Sequence, residues 1–227
     1  SVEPARPEVA PVDGLQIAAL VGTVQKDMIV VLKKLVEDTP DTEVAEKADY
    51  LFRLGEIYAK LHRLHKLQST RADLQNNPKL RDSEAALAKQ YLLDAAGTYT
   101  KLTSNPIFAT WPKTGDAVFF LAFTLHGGGY AKESRAAYDK LLKDYPHNQY
   151  VAEAHLAFAD WFYESNQLAD AEARYKKVLQ FPKSSAYWYA TYKLGWVSFN
   201  LRRHEDALET FYKVVDGTRG DPAKAIL

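Results

Sequence analysis

The sequence contains no cysteine, no long apolar run and no excess of charge of either sign. The missing cysteine excludes disulfides, thiolate metal ligands and a cysteine nucleophile. No apolar stretch approaches the roughly 20 residues that a membrane-spanning helix needs. Because 29 basic residues balance 29 acidic ones, the chain also lacks the positive field that nucleic acid and anionic membrane surfaces select. We therefore expect no nucleic-acid partner and no direct insertion into a membrane.

The motifs of common enzyme and cofactor sites are also missing, since no Walker loop, dinucleotide fingerprint, H-E-x-x-H or EF-hand pattern occurs. The string His126–Gly129 resembles the oxyanion-hole string of some lipases, but the G-x-S-x-G elbow of those enzymes is absent. We expect its glycines to form a tight turn between helices. His62 and His65 lie one helical turn apart without a third ligand, and we expect them on a solvated face. The sequence predicts no catalytic residue, no metal site and no cofactor.

The chain has enough apolar material for a sizeable core, with 47% hydrophobic residues over 227 positions. Residues 1–14 contain Pro4, Pro7 and Pro11 and show no apolar periodicity. A proline-rich segment of this kind favours an extended, flexible tether. We therefore expect the folded part to be a single helical domain over 15–227.

A repeated pair of helices is indicated by small residues at regular intervals. Gly195 is followed after twelve residues by Ala207, and then by Phe211 and Val214 at helical spacing. The small residues stand where two helices cross closely, and the larger ones fill the seam. The same spacing starts from Ala159 and from Ala122, at intervals of 36 and 37 residues. Three helix pairs are thus predicted, over 114–146, 148–182 and 184–216.

The N-terminal part follows the same pattern with longer helices. Gly55 begins a unit whose second helix carries Ala95 and Tyr99, and the polar turn lies near Asn76. We predict a long hairpin over 42–106; the alternative is an extra repeat hidden in the 67-residue interval from Gly55 to Ala122. The segment 15–40 is predicted to cap the stack with one helix that packs through Met28, Leu32 and Leu35.

This pattern resembles the tetratricopeptide repeat, which has L-G-x-x-Y on its first helix and A-x-x-x-F, then proline, after it on the second. Leu54, Gly55 and Tyr58 match best, whereas Ala122 and Ala159 replace the glycine in later units. The resemblance implies an all-α fold, an α-α superhelical solenoid of helix hairpins. The strings YDKLLKDYPHNQY and YKKVLQFPKSS are also similar to bacterial envelope repeat proteins, including the outer-membrane assembly lipoprotein and the Tol-associated periplasmic coordinator. That second resemblance implies a periplasmic protein, with the cytoplasm as the alternative.

In this family the first helices line a concave groove, so the resemblance also implies which side chains meet a partner. The C-terminal half of the groove would be rich in aromatic residues, which often dominate interface energetics. The alternative is that these rings pack between neighbouring repeats. The candidate partner-binding residues are Phe123, Asp160, Tyr163, Glu164, Tyr189, Tyr192, Lys193, Trp196 and Asn200.

We expect a protein–protein interaction scaffold, not an enzyme, that binds a peptide or protein partner within a bacterial cell-envelope complex. Two alternatives are a structural spacer or assembly subunit without a groove ligand, and a helical enzyme with no recognisable motif. A lipid anchor upstream of Ser1 would suit a lipoprotein. Asp221-Pro222 resembles a helix start, so residues 221–227 are predicted to open a further helix after one that closes near Val215.

Overall fold

The computed structural model describes residues 14–220, with side chains described from residue 22 onward. The predicted tether over 1–14, apart from Gly14, and the predicted helix start over 221–227 lie outside the described residues. Within that part, the all-α class of helix hairpins is confirmed, and none of the described helices has the length and apolarity that a membrane crossing needs. Over residues 14–220, a short 3-10 helix, Pro106–Phe108, accompanies nine α-helices: α1 Gly14–Asp38, α2 Val44–Leu74, α3 Pro78–Ser104, α4 Thr114–Gly127, α5 Ala131–Asp144, α6 Val151–Glu164, α7 Leu168–Val178, α8 Ala186–Asn200 and α9 His204–Thr218.

The same tight turn ends the first helix of each predicted pair. One residue adopts a left-handed conformation in each case, with φ between 54° and 81°. The next residue then donates its N–H to the carbonyl five positions earlier, at 2.8 to 2.9 Å, which satisfies a carbonyl at the end of the helix. The left-handed residues are Asn76, Gly129, Asn166 and Arg202. The last three are spaced by 37 and 36 residues, the intervals that the small residues had indicated.

The α2–α3 hairpin is long because both helices run without interruption, for 31 and 27 residues. Its turn is closed by Asn77, whose side chain accepts the N–H of Leu80, and by Pro78 at the start of α3. No turn interrupts either helix, so the extra repeat does not occur here. Leu51, Leu61, Leu92 and other apolar residues of the two facing sides are buried between the helices.

The chain divides into two compact units, with the boundary between Tyr130 and Ala131. The first unit contains α1 to α4 and the second contains α5 to α9. Since this division falls within the predicted 114–146 pair, the single domain over 15–227 and the boundaries of its units stay predictions. In the first unit, α1 buries Ile29 and Leu32, while Met28 is exposed. Leu35 also packs against the core, so the prediction for α1 was wrong only at Met28, whose place Ile29 takes.

The second unit has a core of small and aromatic residues from α6, α7 and α8. Ala159, Tyr175, Val178 and Val197 are fully buried there. The structure extends α9 to Thr218, beyond the end predicted near Val215. Position 217 in this last turn requires glycine, because a Cβ there would overlap the ring of Trp188. Helices α6 and α8 lie side by side in this unit and position the candidate site.

Candidate protein-binding face

Helix α8 carries aromatic residues along one side and a buried apolar strip along the other. Tyr189, Tyr192, Trp196 and Phe199 recur at intervals of three or four residues, which places them on one helical face. The opposite strip, including Leu194, packs into the core. Tyr189 is 37% exposed, Trp196 38% and Phe199 47%, whereas Tyr192 is half-buried. We define the aromatic face as these four residues together with Tyr163 of α6.

Phe211 of α9 packs against two of the aromatic rings of α8. The Phe211 ring centroid lies 5.5 Å from that of Trp196 and 5.9 Å from that of Tyr192. Phe199 also meets Trp196 edge to face, at 5.7 Å. Gly195 makes this arrangement possible, because a Cβ there would be 2.5 Å from Phe211 Cε1. Trp196 is thus held in place while more than a third of it stays exposed.

Tyr163 of α6 joins the face through two contacts with α8. The Nζ atom of Lys193 lies 3.8 Å from the Tyr163 ring centroid, a cation–π contact. Asn200 Nδ2 donates a hydrogen bond to the Tyr163 hydroxyl at 3.0 Å. Three of the predicted residues therefore contact one another across the two helices. Lys193 and Asn200 orient a ring of the face as well as flanking it.

Asp160 has a structural role in addition to its place beside the face. The hydroxyl of the buried Tyr175 donates to Asp160 Oδ1 at 2.5 Å. Burial and then this hydrogen bond raise the pKa of Tyr175 above its ordinary value. A buried tyrosine hydroxyl needs such an acceptor. The sequence identified Asp160 as a groove charge, and the structure adds its role as the partner of a core tyrosine.

Acidic groups also lie close to Tyr189. Partial burial raises the pKa of Tyr189, and the negative charges of Asp160 and Glu164 raise it further. Glu164 is exposed at the end of α6. The aromatic face thus has an acidic side formed by α6, next to a ring of α8.

The comparisons with known proteins found similarities that include this region of the chain. Residues 117–218 match the family model of the tetratricopeptide repeat-like domain. A solved structure described as the functional characterization of Pseudomonas aeruginosa pilF is similar over 88% of this chain and 94% of its own chain, with 11% identity and a TM-score of 0.46. No curated protein matches the sequence.

Phe123 is the one predicted partner-binding residue that lies in the first unit. It is 50% exposed on α4, and its ring stacks on that of the buried Phe119 at 6.0 Å. The other eight predicted residues lie on α6 and α8 in the second unit. The contacts described above connect residues of these two helices, and Phe123 is not among them.

The two motifs that suggested chemistry have structural roles. Gly129 takes a φ of +81° in the turn after α4, as the glycine string predicted. The expectation for His65 was wrong, because it is buried in the α2–α3 hairpin and its Nδ1 lies 2.6 Å from Glu84 Oε2. His62 Nδ1 approaches the carbonyl oxygen of Ala88 at 2.8 Å. Among the described residues no group of three or more His, Asp or Glu side chains could hold a metal ion.

One apolar surface, on α9, was missed by the sequence reasoning. Leu208, Tyr212 and Val215 of α9 are 57%, 62% and 51% exposed. They recur at i, i+4 and i+7, so the helical periodicity that identified the buried side of α9 could also have identified this exposed apolar side. They lie on the outer side of α9, whereas Ala207 and Val214 are buried.

Proposed function

We propose that this chain is a protein-interaction scaffold whose aromatic face on α6 and α8 binds a peptide or protein partner. The observation that carries the proposal is the exposure of Tyr189, Trp196 and Phe199, together with the contacts of Phe211 and Tyr192 that hold the Trp196 ring in place. Exposed, pre-positioned aromatic side chains bind at little cost in rotamer entropy. The repeat-like domain found over 117–218 supports a role in protein partnership.

The charges beside the face favour a particular kind of partner. Asp160 and Glu164 place negative charge next to Tyr189, which suits a lysine or arginine of the partner. The rings suit an apolar anchor of an extended peptide or a helix. We therefore propose a segment with an apolar residue close to a basic one. A non-catalytic role is part of this proposal.

The proposed setting is a complex of the bacterial cell envelope, in the periplasm. The similarity of the strings YDKLLKDYPHNQY and YKKVLQFPKSS to envelope repeat proteins supports it. The absence of cysteine offers a direct test, because a Cys introduced at the exposed Lys177 would be the only thiol in this sequence. Labelling in intact cells by a charged maleimide that does not cross the inner membrane would support the periplasm. Labelling only after lysis would contradict it.

The binding face is tested by a photo-crosslinking amino acid placed at position 196 in cells that produce the protein. We expect adducts with a specific protein, identified by mass spectrometry. The matched control places the same group at Lys177, an exposed position on α7. The same adducts at both positions, or none at 196, would contradict the proposal.

A second measurement uses the protein that the crosslink identifies. We expect Tyr192→Ala combined with Trp196→Ala to weaken its binding by about tenfold or more, because a buried aromatic anchor typically contributes about 2 kcal/mol. The helical circular dichroism signal of this double variant must stay unchanged. A parallel loss of helix content would mean that these rings serve the core.

A further inference from the structure

A second polar site lies at the N-terminal ends of α6 and α8, within the second unit. An open pocket of about 610 Å³ separates the segment before α6 from the α7–α8 loop. Glu153, in the first turn of α6, lines it together with Ser184 and Ser185 of that loop. Tyr150 and Phe181, both partly buried, provide apolar surface in the same pocket. The pocket therefore combines a carboxylate, two hydroxyls and two aromatic side chains.

The Glu153 carboxylate is held in place by one of its oxygens. Ser184 Oγ donates to Oε1 at 2.9 Å, and Ser185 Oγ donates to the same atom at 3.3 Å. Ser184 Oγ in turn accepts the N–H of Ala186 at 3.0 Å, which fixes the hydroxyl at the start of α8. Glu153 Oε2 is buried and has no hydrogen-bond partner within the described part of the chain. A buried carboxylate oxygen without a donor is costly, so the carboxylate has capacity for a further partner.

We propose that this pocket binds an arginine side chain of a partner protein. A guanidinium combines positive charge with a planar, weakly hydrated surface that stacks on aromatic rings. Glu153 supplies the negative charge, and Tyr150 and Phe181 supply the apolar surface. The incoming guanidinium displaces the Ser185 hydroxyl, which is exposed and forms the longer of the two bonds to Oε1. Its N–H groups then reach Oε1 and, beside it, the unpaired Oε2.

The second unit already contains two contacts in which an arginine side chain lies over an aromatic ring. The guanidinium carbon of Arg135 lies 4.9 Å from the Trp161 ring centroid, and that of Arg174 lies 4.8 Å from the Phe158 ring centroid. Both arginines therefore pack on an aromatic ring, as we propose for an arginine of the partner against Tyr150 and Phe181. The site is separate from the aromatic face, so this inference does not depend on the proposed function.

The test measures binding of a short arginine peptide, acetyl-Gly-Arg-Gly-amide, by NMR on the isotope-labelled chain. The control peptide carries citrulline, which has almost the same shape but no charge. We expect saturable shift changes at the amides of residues 149–153 and 180–186, with at least about tenfold weaker binding of the citrulline peptide. Equal binding of both peptides, or shift changes for neither, would overturn the inference.

Variants at the pocket identify the carboxylate as the binding group. Glu153→Gln retains an acceptor for the two serine hydroxyls and is expected to lose the arginine peptide's shift changes. Asp170→Asn, which removes an exposed carboxylate from α7, should retain them. If Glu153→Gln perturbs the fold, Lys183→Gln provides an independent readout, since removing this exposed positive charge from the pocket should tighten binding by about twofold. Unchanged affinity in both pocket variants would exclude the site.

Discussion

Gly55 on α2 lies directly against the ring of Tyr99 on α3, so that a Cβ at position 55 would be 2.6 Å from Tyr99 Cε1. The ring has no room to move away, because Tyr99 is only 1% exposed. We predict that Gly55→Ala destabilises the protein by about 1 to 2 kcal/mol, since overpacking outweighs the gain of about 1 kcal/mol in helix propensity. Urea unfolding followed by circular dichroism measures the change.

Gly97 on α3 is the matched control for this substitution. It is also helical, but it is exposed and a Cβ there would meet no atom within 4 Å. Gly97→Ala should therefore stabilise the protein by about 0.5 to 1 kcal/mol. If both alanine variants shift the unfolding midpoint in the same direction, the close approach of α2 and α3 at Gly55 does not limit stability.

The Tyr175–Asp160 hydrogen bond should contribute measurably to the second unit. Tyr175→Phe removes the hydroxyl and leaves Asp160 to find water, which its partial exposure allows. We expect a loss of about 1 to 2 kcal/mol, as for other hydrogen bonds to a charged group. Tyr212→Phe removes a hydroxyl from a ring that is 62% exposed, and serves as the control. An equal, small effect of both variants in urea unfolding would show that Asp160 is not a structural partner.

His155 should make the second unit sensitive to acid. Burial, and then the positive charges of Arg174 and Lys177, lower the pKa of His155 from 6.5 to about 4. Its neutral ring accepts a hydrogen bond from Arg174 Nη1 through Nδ1, at 3.3 Å. Between these pH values the unfolded chain binds a proton that the folded chain excludes. The stabilising effect of the neutral ring is therefore complete above about pH 6.5 and is lost as the pH falls towards 4.

The expected size of this acid effect is on the order of 2 kcal/mol, allowing for partial solvent screening. His155→Gln removes the titrating group, so its unfolding free energy should fall less than that of the original chain between pH 7 and pH 4.5. His147→Gln, at an exposed position, should behave like the original chain. If the unfolding free energy of His155→Gln has the same pH dependence as that of the original chain and of His147→Gln, the neutral His155 is not the cause of the acid sensitivity.

The sequence predicted best those features that depend on the geometry of one helix or of one crossing. Gly195 and Phe211 could be paired because a helix crossing requires a small residue at a fixed distance along the chain from its bulky partner. The rings of α8 could be placed on one face by their periodicity. The end of α9 at Thr218 was missed because Gly217 suggested a turn, whereas the space beside it is filled by Trp188.

Contacts between side chains on different helices were not predictable in the same way. Periodicity placed His65 on α2, but nothing in its neighbourhood pointed to Glu84, which lies 19 residues later on the facing helix. Asp160 was identified as an acidic residue beside the rings, while its hydrogen bond to Tyr175 depends on how α7 packs on α6. The hydrogen-bond partner of a polar side chain on a helix therefore cannot be predicted until the packing of the neighbouring helix is known.

The recurring left-handed turn has a consequence for how this chain folds. Each turn joins two helices through only a few residues, so the contacts between paired helices of the same unit require little loop-closure entropy. In the second unit, for example, α6 contacts α7 and α8 contacts α9, its immediate successors. Chains dominated by such local contacts fold rapidly, and any helix pair can serve as the starting point. The Asn166 turn and the Arg202 turn thus provide two separate places at which folding of the second unit can begin.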